Sequence, residues 1–318
     1  MIRSARAVVY EGGLRVVERP APQAGQGEAL IRLRLAGICN TDLELMRGYK
    51  DFAGTLGHEF VGEVIDGPDE WLGQRVVGEI NVSCGECDMC RRGMRSHCRN
   101  RAILGLAQYD GAFSDVFRLP VANLWAVPDA VPDDAAVFTE PLAAACEVLE
   151  ANVITPESRV VIVGAGKLGL LVAQAVRLTG ADLTVVARRE RPRALLGEWG
   201  IPVADAADIA PGIADVVIDC TGNAEGFASA LDLVRPRGTI ILKSTYADLP
   251  QADLTRVAVD ELRVIGSRCG PFGAALRLLA AGLVDLRPMI DARYSLADAE
   301  RALAHAAQPG TLKVLLAP

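Results

Sequence analysis

Apolar positions follow two different rhythms along this chain. From the start to about residue 130 they fall in short runs, "RAVVY", "LRVVE", "ALIRLRLAGI", "FVGEVI" and "QRVVGEI", punctuated by Gly, Pro and Asp. Such runs predict β strands, and the turn residues between them predict a mostly antiparallel, barrel-like domain. "VPDAVPDDAAVFTEPLAAACEVLEANVI" then opens on turn residues and becomes helical, with Pro132 near a helix start. From Arg159 the runs become continuous: "RVVIVGAG", "DLTVVAR", "ADVVIDCTG", "GTIILKS" and "LRVIGSR" alternate with helical stretches up to about Arg268. Strands that are apolar on both faces and alternate with helices predict an α/β architecture with a doubly wound parallel sheet. The last 46 or so residues read as helix, closing on a short strand, "TLKVLLAP". No internal repeat or low-complexity tract interrupts the pattern.

Composition narrows the function classes. A chain of 318 residues exceeds what one hydrophobic core usually serves, so two domains are expected. With 51% apolar and 23% charged residues it packs rather than staying disordered. A net charge of −7 argues against a general nucleic-acid or anionic-membrane surface. The first residues, "MIRSARAVVYEGGLRVVERP", lack the apolar run and cleavage site of a signal peptide, and no stretch is long and apolar enough for a bilayer span. A cytoplasmic location is therefore expected, where disulfides are rare and clustered cysteines more often hold metal.

Half of the eight cysteines lie in "CGECDMCRRGMRSHC": Cys84, Cys87, Cys90 and Cys98. Four thiolates satisfy a closed tetrahedral zinc site, and Gly85 and Gly93 allow the tight turns that wrap backbone around an ion. Arg91, Arg92, Arg95, Arg99 and Arg101 would suit a nucleic-acid zinc ribbon. Ribbons, however, separate two Cys-x2-Cys knuckles by about 15–20 residues, whereas this is one compact loop. Structural zinc is the reading the spacing favours.

"VVIVGAGKLGLLVAQAVRLTG" places Gly164, Gly166 and Gly169 as G-x-G-x-x-G between a strand and a helix, with Lys167 and Leu168 inside the motif. The glycines permit a tight turn, close backbone approach to a pyrophosphate and close helix–strand packing, and the helix N-terminus offers N–H groups to the phosphates. These five positions are candidate cofactor contacts. At the end of the next strand, "DLTVVARRE", the acid that would bind the ribose 2′-hydroxyl of NAD is missing. Ala187 stands there, followed by Arg188 and Arg189, which match a 2′-phosphate by charge and forked geometry, so NADP(H) is favoured over NAD(H).

Two further stretches, "GICNTDLELMRG" and "LGHEFVGEV", supply Cys39, His58 and Glu59, a mixed set of the kind that holds a catalytic zinc with room for substrate. With "GICNTD", "GHEFVGEV", the cysteine loop, "EPLAAACEVLE", "GAGKLG" and the terminal "LKVLL", essentially the whole chain resembles the zinc-dependent medium-chain dehydrogenases, the superfamily of alcohol, sorbitol and threonine dehydrogenases. The resemblance implies a GroES-like catalytic domain over 1–140, a Rossmann domain over 141–272 and a C-terminal segment, 273–318, that returns to the catalytic domain. It implies two zinc ions per chain: a structural one on the four-cysteine loop and a catalytic one on Cys39 and His58, with Glu140 in the third ligand position and Glu59 also reaching the metal, one of the two directly and the other through water. It casts Thr41 as the hydroxyl that passes the substrate proton, Asp42 as the acid that orients the ligand histidine, and Lys313 as a contact to the pyrophosphate. A carboxylate in place of the second cysteine ligand of alcohol dehydrogenase is the pattern of the polyol and secondary-alcohol branch.

Some positions depart from that pattern. Asn40 replaces a residue that is often basic or histidine, Glu44 stands where some relatives carry a relay histidine, and the regions between His58 and Cys84 and after Cys269 are trimmed. The expected activity is reversible oxidation of a small-molecule alcohol to a carbonyl by a homodimer or homotetramer. Two rivals, an NADPH-dependent reductase of activated C=C bonds and a non-enzymatic zinc- or NADPH-binding sensor, are both disfavoured by an intact ligand set.

Overall fold

The computed structural model describes residues 2–246 and 250–318. Contacts divide the chain into two compact units, Met1–Glu140 with Leu276–Pro318, and Pro141–Ala275.

The first unit is built on a seven-stranded sheet in which Leu124–Ala126, Arg75–Gly78, Glu59–Asp66, Glu28–Gly37, Lys313–Ala317 and Ile290–Ser295 lie side by side, and Val116–Pro120 also pairs with Glu28–Gly37. All pairings are antiparallel except the last, Ile290–Ser295 with Lys313–Ala317. Glu28–Gly37 shows why its sequence is a strand: Ile31, Leu33 and Leu35 are buried while Arg32 and Arg34 between them are exposed, a period of two. The apolar side meets one core, where Phe60 and Phe117 pack edge to face with ring centroids 4.7 Å apart. The C-terminal segment differs from its expected helix-then-strand reading. It holds a second strand, Ile290–Ser295, which the alternating Asp291 and Arg293 conceal from a hydropathy pattern.

The second unit carries a six-stranded, fully parallel sheet in the order Val203–Ala204, Asp182–Val186, Arg159–Val163, Ala214–Asp219, Val234–Leu242, Arg263–Gly266. In chain order this is 3-2-1-4-5-6, and its switch point lies where the first strand meets the fourth, the crevice in which dinucleotides bind in such sheets. Residues such as Val160, Ile162, Val217 and Ile240 are buried on both faces, which is why these segments read as unbroken apolar runs. The two-residue strand Val203–Ala204 is too short to leave a signal in the sequence.

Candidate active site

Register in the first unit brings the catalytic candidates together. Gly37, the last residue of one strand, pairs with Glu59, the first residue of its neighbour. Cys39 follows two residues after Gly37 and caps the helix Asn40–Met46, while His58 immediately precedes Glu59. One ligand atom each from Cys39, His58 and Glu59 lies within 4.8 Å of the others. Glu140, half-buried in the first turn of the helix Thr139–Ala151, is not part of this group.

Asp42, fully buried, positions two of the three. One of its oxygens accepts the backbone N–H of Cys39 at 2.8 Å, and the other lies 3.2 Å from His58 Nδ1. Facing Asp42 with Nδ1 leaves Nε2 of His58 as the atom to offer an ion. Burial is the largest influence on His58 and pulls its imidazole down. The charges of Asp42 and Cys39 outweigh it and hold the ring well above its ordinary value. One thiol, one imidazole and one carboxylate, each offering an atom within 4.8 Å of the others, are a donor set that fits zinc. Thr41, half-buried on the same helix, has its hydroxyl 3.7 Å from Cys39 Sγ. Glu44, one turn on, pairs with Arg47 at 2.7 Å, and Asn40 is exposed.

The structure places Lys313 differently from the expectation of a phosphate contact. Its ammonium is buried, pairs with the Glu59 carboxylate and donates to the carbonyl of Ile38 at 3.4 Å. Desolvation, the largest influence, lowers its affinity for a proton, but Glu59 and Cys39 reverse the shift and raise it. The sequence alone did not reveal this pair, because only the sheet register joins its members.

In the cysteine loop the sulfurs of Cys87 and Cys90 are 3.5 Å apart, those of Cys84 and Cys98 3.5 Å, and those of Cys87 and Cys98 3.9 Å. These spacings are too long for disulfides, and a tetrahedron with zinc–sulfur bonds of about 2.3 Å has edges of about 3.8 Å. The loop therefore fits zinc. The backbone N–H of Arg99, then that of Cys90, draws the Cys87 thiol down to about 6, while desolvation pushes Cys90 up to about 11. Arg99 also clips the loop through two bonds to Asp88, at 2.5 and 2.7 Å. Elsewhere, burial pushes the Cys146 thiol up to about 11 and the Cys220 thiol up to about 12, so neither is an activated nucleophile.

The glycine turn in the second unit follows the strand Arg159–Val163. Gly164 has φ +97°, a conformation L side chains avoid. A Cβ on Gly169 would stand 1.9 Å from the Gly164 carbonyl oxygen, whereas one on Gly166 would meet nothing within 4 Å. Lys167 and Leu168, both half-buried, begin the helix Lys167–Arg177, whose cap, Gly166, has no side chain to occupy the first-turn N–H groups. The open space beside Gly166 at this helix N-terminus fits a pyrophosphate. Arg188 and Arg189 are exposed after the strand Asp182–Val186. A third arginine joins that corner, Arg193, which donates to the carbonyl of Ala187 at 2.6 Å and pairs with Asp205 at 3.1 Å.

Residues 25–129 match the alcohol dehydrogenase GroES-like domain and residues 168–281 the zinc-binding dehydrogenase domain. An L-threonine 3-dehydrogenase of Streptomyces coelicolor is 32% identical over 96% of both chains. This chain belongs to the zinc-binding dehydrogenases. A Sinorhizobium meliloti 1021 protein assigned as a zinc-binding dehydrogenase and solved with NADP superposes on the dehydrogenase with a TM-score of 0.91, at 31% identity over 99% of both chains. An Escherichia coli CFT073 alcohol dehydrogenase solved with NADH reaches the same TM-score at 25% identity, covering 99% of this chain and 100% of that one. The dehydrogenase is thus a zinc-dependent, NAD(P)-dependent oxidoreductase of alcohols, with a GroES-like and a Rossmann part. Among its described residues no helix is long and apolar enough to cross a membrane.

Proposed function

We propose that this chain reversibly oxidises a secondary alcohol, a polyol or a related hydroxy compound to the carbonyl, with NADP(H) as its preferred cofactor and two zinc ions per chain. The observation that carries the reading is the convergence of Cys39, His58 and Glu59 within 4.8 Å of one another, the first two braced by the buried carboxylate of Asp42. Cys39 and His58 hold the catalytic ion, with Glu59 or Glu140 completing the protein's share, and Cys84, Cys87, Cys90 and Cys98 hold the structural one. When bound, the ion supplies Lewis acidity to a hydroxyl oxygen and the nicotinamide supplies the hydride acceptor.

The chain's own residues do the rest. Asp42 fixes the Cys39 backbone and faces His58, so both ligands keep their orientation through turnover. The Thr41 hydroxyl, beside Cys39, takes the substrate proton and passes it outward. The Gly164–Gly169 turn and the first N–H groups of the helix Lys167–Arg177 bind the pyrophosphate, and Arg188 and Arg189 read the 2′-phosphate.

The NADP-bound relative supports this cofactor reading, whereas the NADH-bound one calls for a direct comparison of the two cofactors on this chain. Assembly as a homodimer or homotetramer is supported by the edge strand Arg263–Gly266 and by Leu254 and Val259, 71% and 74% exposed on the helix that precedes it in the chain. Sedimentation at several concentrations tests that assembly.

The activity test screens alcohols and carbonyls for a change in nicotinamide absorbance with each cofactor. It is paired with metal analysis before and after mild chelation. Two zincs per chain are expected, with chelation abolishing turnover while the fold persists. One zinc or none in metal-replete protein, or turnover in a Cys39→Ser variant equal to the native rate, would refute the reading.

A further inference from the structure

Glu59, Gly37 and Lys313 lie on three adjacent strands and share one face of the sheet. Gly37 pairs directly with Glu59 on one side and with Leu315 on the other, and Lys313 is two residues from Leu315. A Cβ on Gly37 would stand 2.5 Å from Glu59 Oε2 and 3.5 Å from Lys313 Cδ. The central strand is therefore bare where the ion pair passes over it. Both partners are all but sealed from water, Glu59 at 1% exposed and Lys313 at 3%. Besides the charges of Cys39 and Asp42, which act on it after that of Glu59, the ammonium meets the Ile38 carbonyl and the Phe138 ring, whose centroid is 5.5 Å away. Neither neutralises it. The Glu59 carboxylate does, although it also belongs to the group that can hold the ion.

We infer that Lys313 is a positioning residue that holds Glu59 as a shared counter-ion and prevents it from acting as a full-time ligand of the catalytic ion. The inference rests on the reading that Cys39, His58 and Glu59 hold that ion. Charge balance points the same way. Without the ammonium the Glu59 carboxylate loses its buried counter-charge, which in a low-dielectric interior strengthens its hold on a cation. The ammonium and the ion thus compete for one carboxylate.

The test is chelator competition on the intact holoenzyme, with the zinc of the cysteine loop as internal reference and cobalt substitution reporting the ligand set. Lys313→Gln removes the charge but keeps hydrogen-bonding reach toward Glu59, and it should tighten zinc at the catalytic site by about 10- to 100-fold. Lys313→Arg keeps the charge and should remain within about threefold of the native affinity. The gain must depend on Glu59: in a Glu59→Gln background, Lys313→Gln should produce a much smaller change. The cobalt spectrum should shift with Lys313→Gln and not with Lys313→Arg. An unchanged or weaker affinity, or equal gains with and without Glu59, overturns the inference.

Should Lys313→Gln fold poorly without metal, the zinc-induced rise in Tm takes over as the readout. A larger rise than in the native chain supports the inference, and an equal or smaller one counts against it. A Cys39→Ser, His58→Ala double variant separates the two levels of the reading. If it keeps both zincs, the assignment of the site fails and the inference fails with it. If it loses one zinc while Lys313→Gln changes nothing, only the role of Lys313 is refuted.

Discussion

Gly166 and Gly169 stand three residues apart in one turn, and the structure gives opposite reasons for their lack of a side chain. At Gly169 an added methyl would lie 1.9 Å from a backbone oxygen, and because that atom belongs to the Gly164 peptide it has no flexible side chain to move aside. Relieving the clash requires the helix to shift by about 1 Å or more, an overpacking that costs about 1–3 kcal/mol. At about 2–4 °C per kcal/mol for a chain of this order, Gly169→Ala should melt about 2–12 °C lower without any cofactor. Gly166, with φ −79° and ψ −167°, has a backbone that alanine adopts freely, and the methyl would enter open space. Its lost unfolded-state freedom stabilises by about 0.4–1 kcal/mol, and the poorer helix cap costs a similar amount, so Gly166→Ala should melt close to the native protein. That open space is where a pyrophosphate must approach, so Gly166→Ala should bind NADPH about 10- to 100-fold more weakly, a loss of about 1.4–2.8 kcal/mol. Melting of the apo protein and NADPH titration by fluorescence on both variants check this together. If Gly166→Ala melts as low as Gly169→Ala, or binds NADPH with native affinity, the division of roles in the turn is wrong.

Thr41→Val should lower turnover by about 10²–10⁴ with cofactor affinity unchanged, while Thr41→Ser keeps much of the rate. Near-native turnover in the valine variant, with a full isotope effect on hydride transfer, would move the proton path to another group. Arg188→Ala should weaken NADP(H) by about 1.5–3 kcal/mol and NAD(H) far less, and equal losses in paired titrations would show that the arginine reads only general charge. Glu28 tests the acid limb of stability. Burial, the largest influence, raises its carboxyl, but bonds from Tyr109 and the Gly25 backbone and the Arg118 guanidinium hold it below its ordinary value. A depressed folded value contributes stability that is present above the unfolded value near 4.5 and lost as pH falls through the folded one. Glu28→Gln should therefore lose stability at neutral pH and show a flatter acid limb in urea midpoints taken down to about pH 3. A limb as steep as the native one would show that Glu28 gains nothing from its partners.

What the sequence made legible was what neighbouring residues encode among themselves. The four-cysteine loop is written in spacings of two, two and seven, so its chemistry could be read before any fold was known, and the sulfurs meet at tetrahedral edge lengths. The parallel strands were legible because burial on both faces leaves unbroken apolar runs. Ile290–Ser295 was hidden for the converse reason. Its Asp291 accepts the backbone N–H groups of Leu312 and Lys313, at 2.7 and 3.0 Å, so a polar residue that looks like a surface position is spent on bracing the adjoining strand. Cys39 could be grouped with His58 and Glu59 by ligand type alone, and family resemblance gave the grouping its weight, since no spacing joins Cys39 to the other two.

The Glu59–Lys313 pair lay beyond even that resemblance, which pointed Lys313 at a phosphate. Its members are 254 positions apart, and they meet because Gly37 pairs with Glu59 on one side and Leu315 on the other. A shift of either flanking strand by one residue would turn one charge to the opposite face of the sheet and leave the other buried alone, a state costing several kcal/mol. The same pair therefore serves two ends. It divides a carboxylate between an ammonium and the ion site, and it penalises the one-residue slips that would take that site apart.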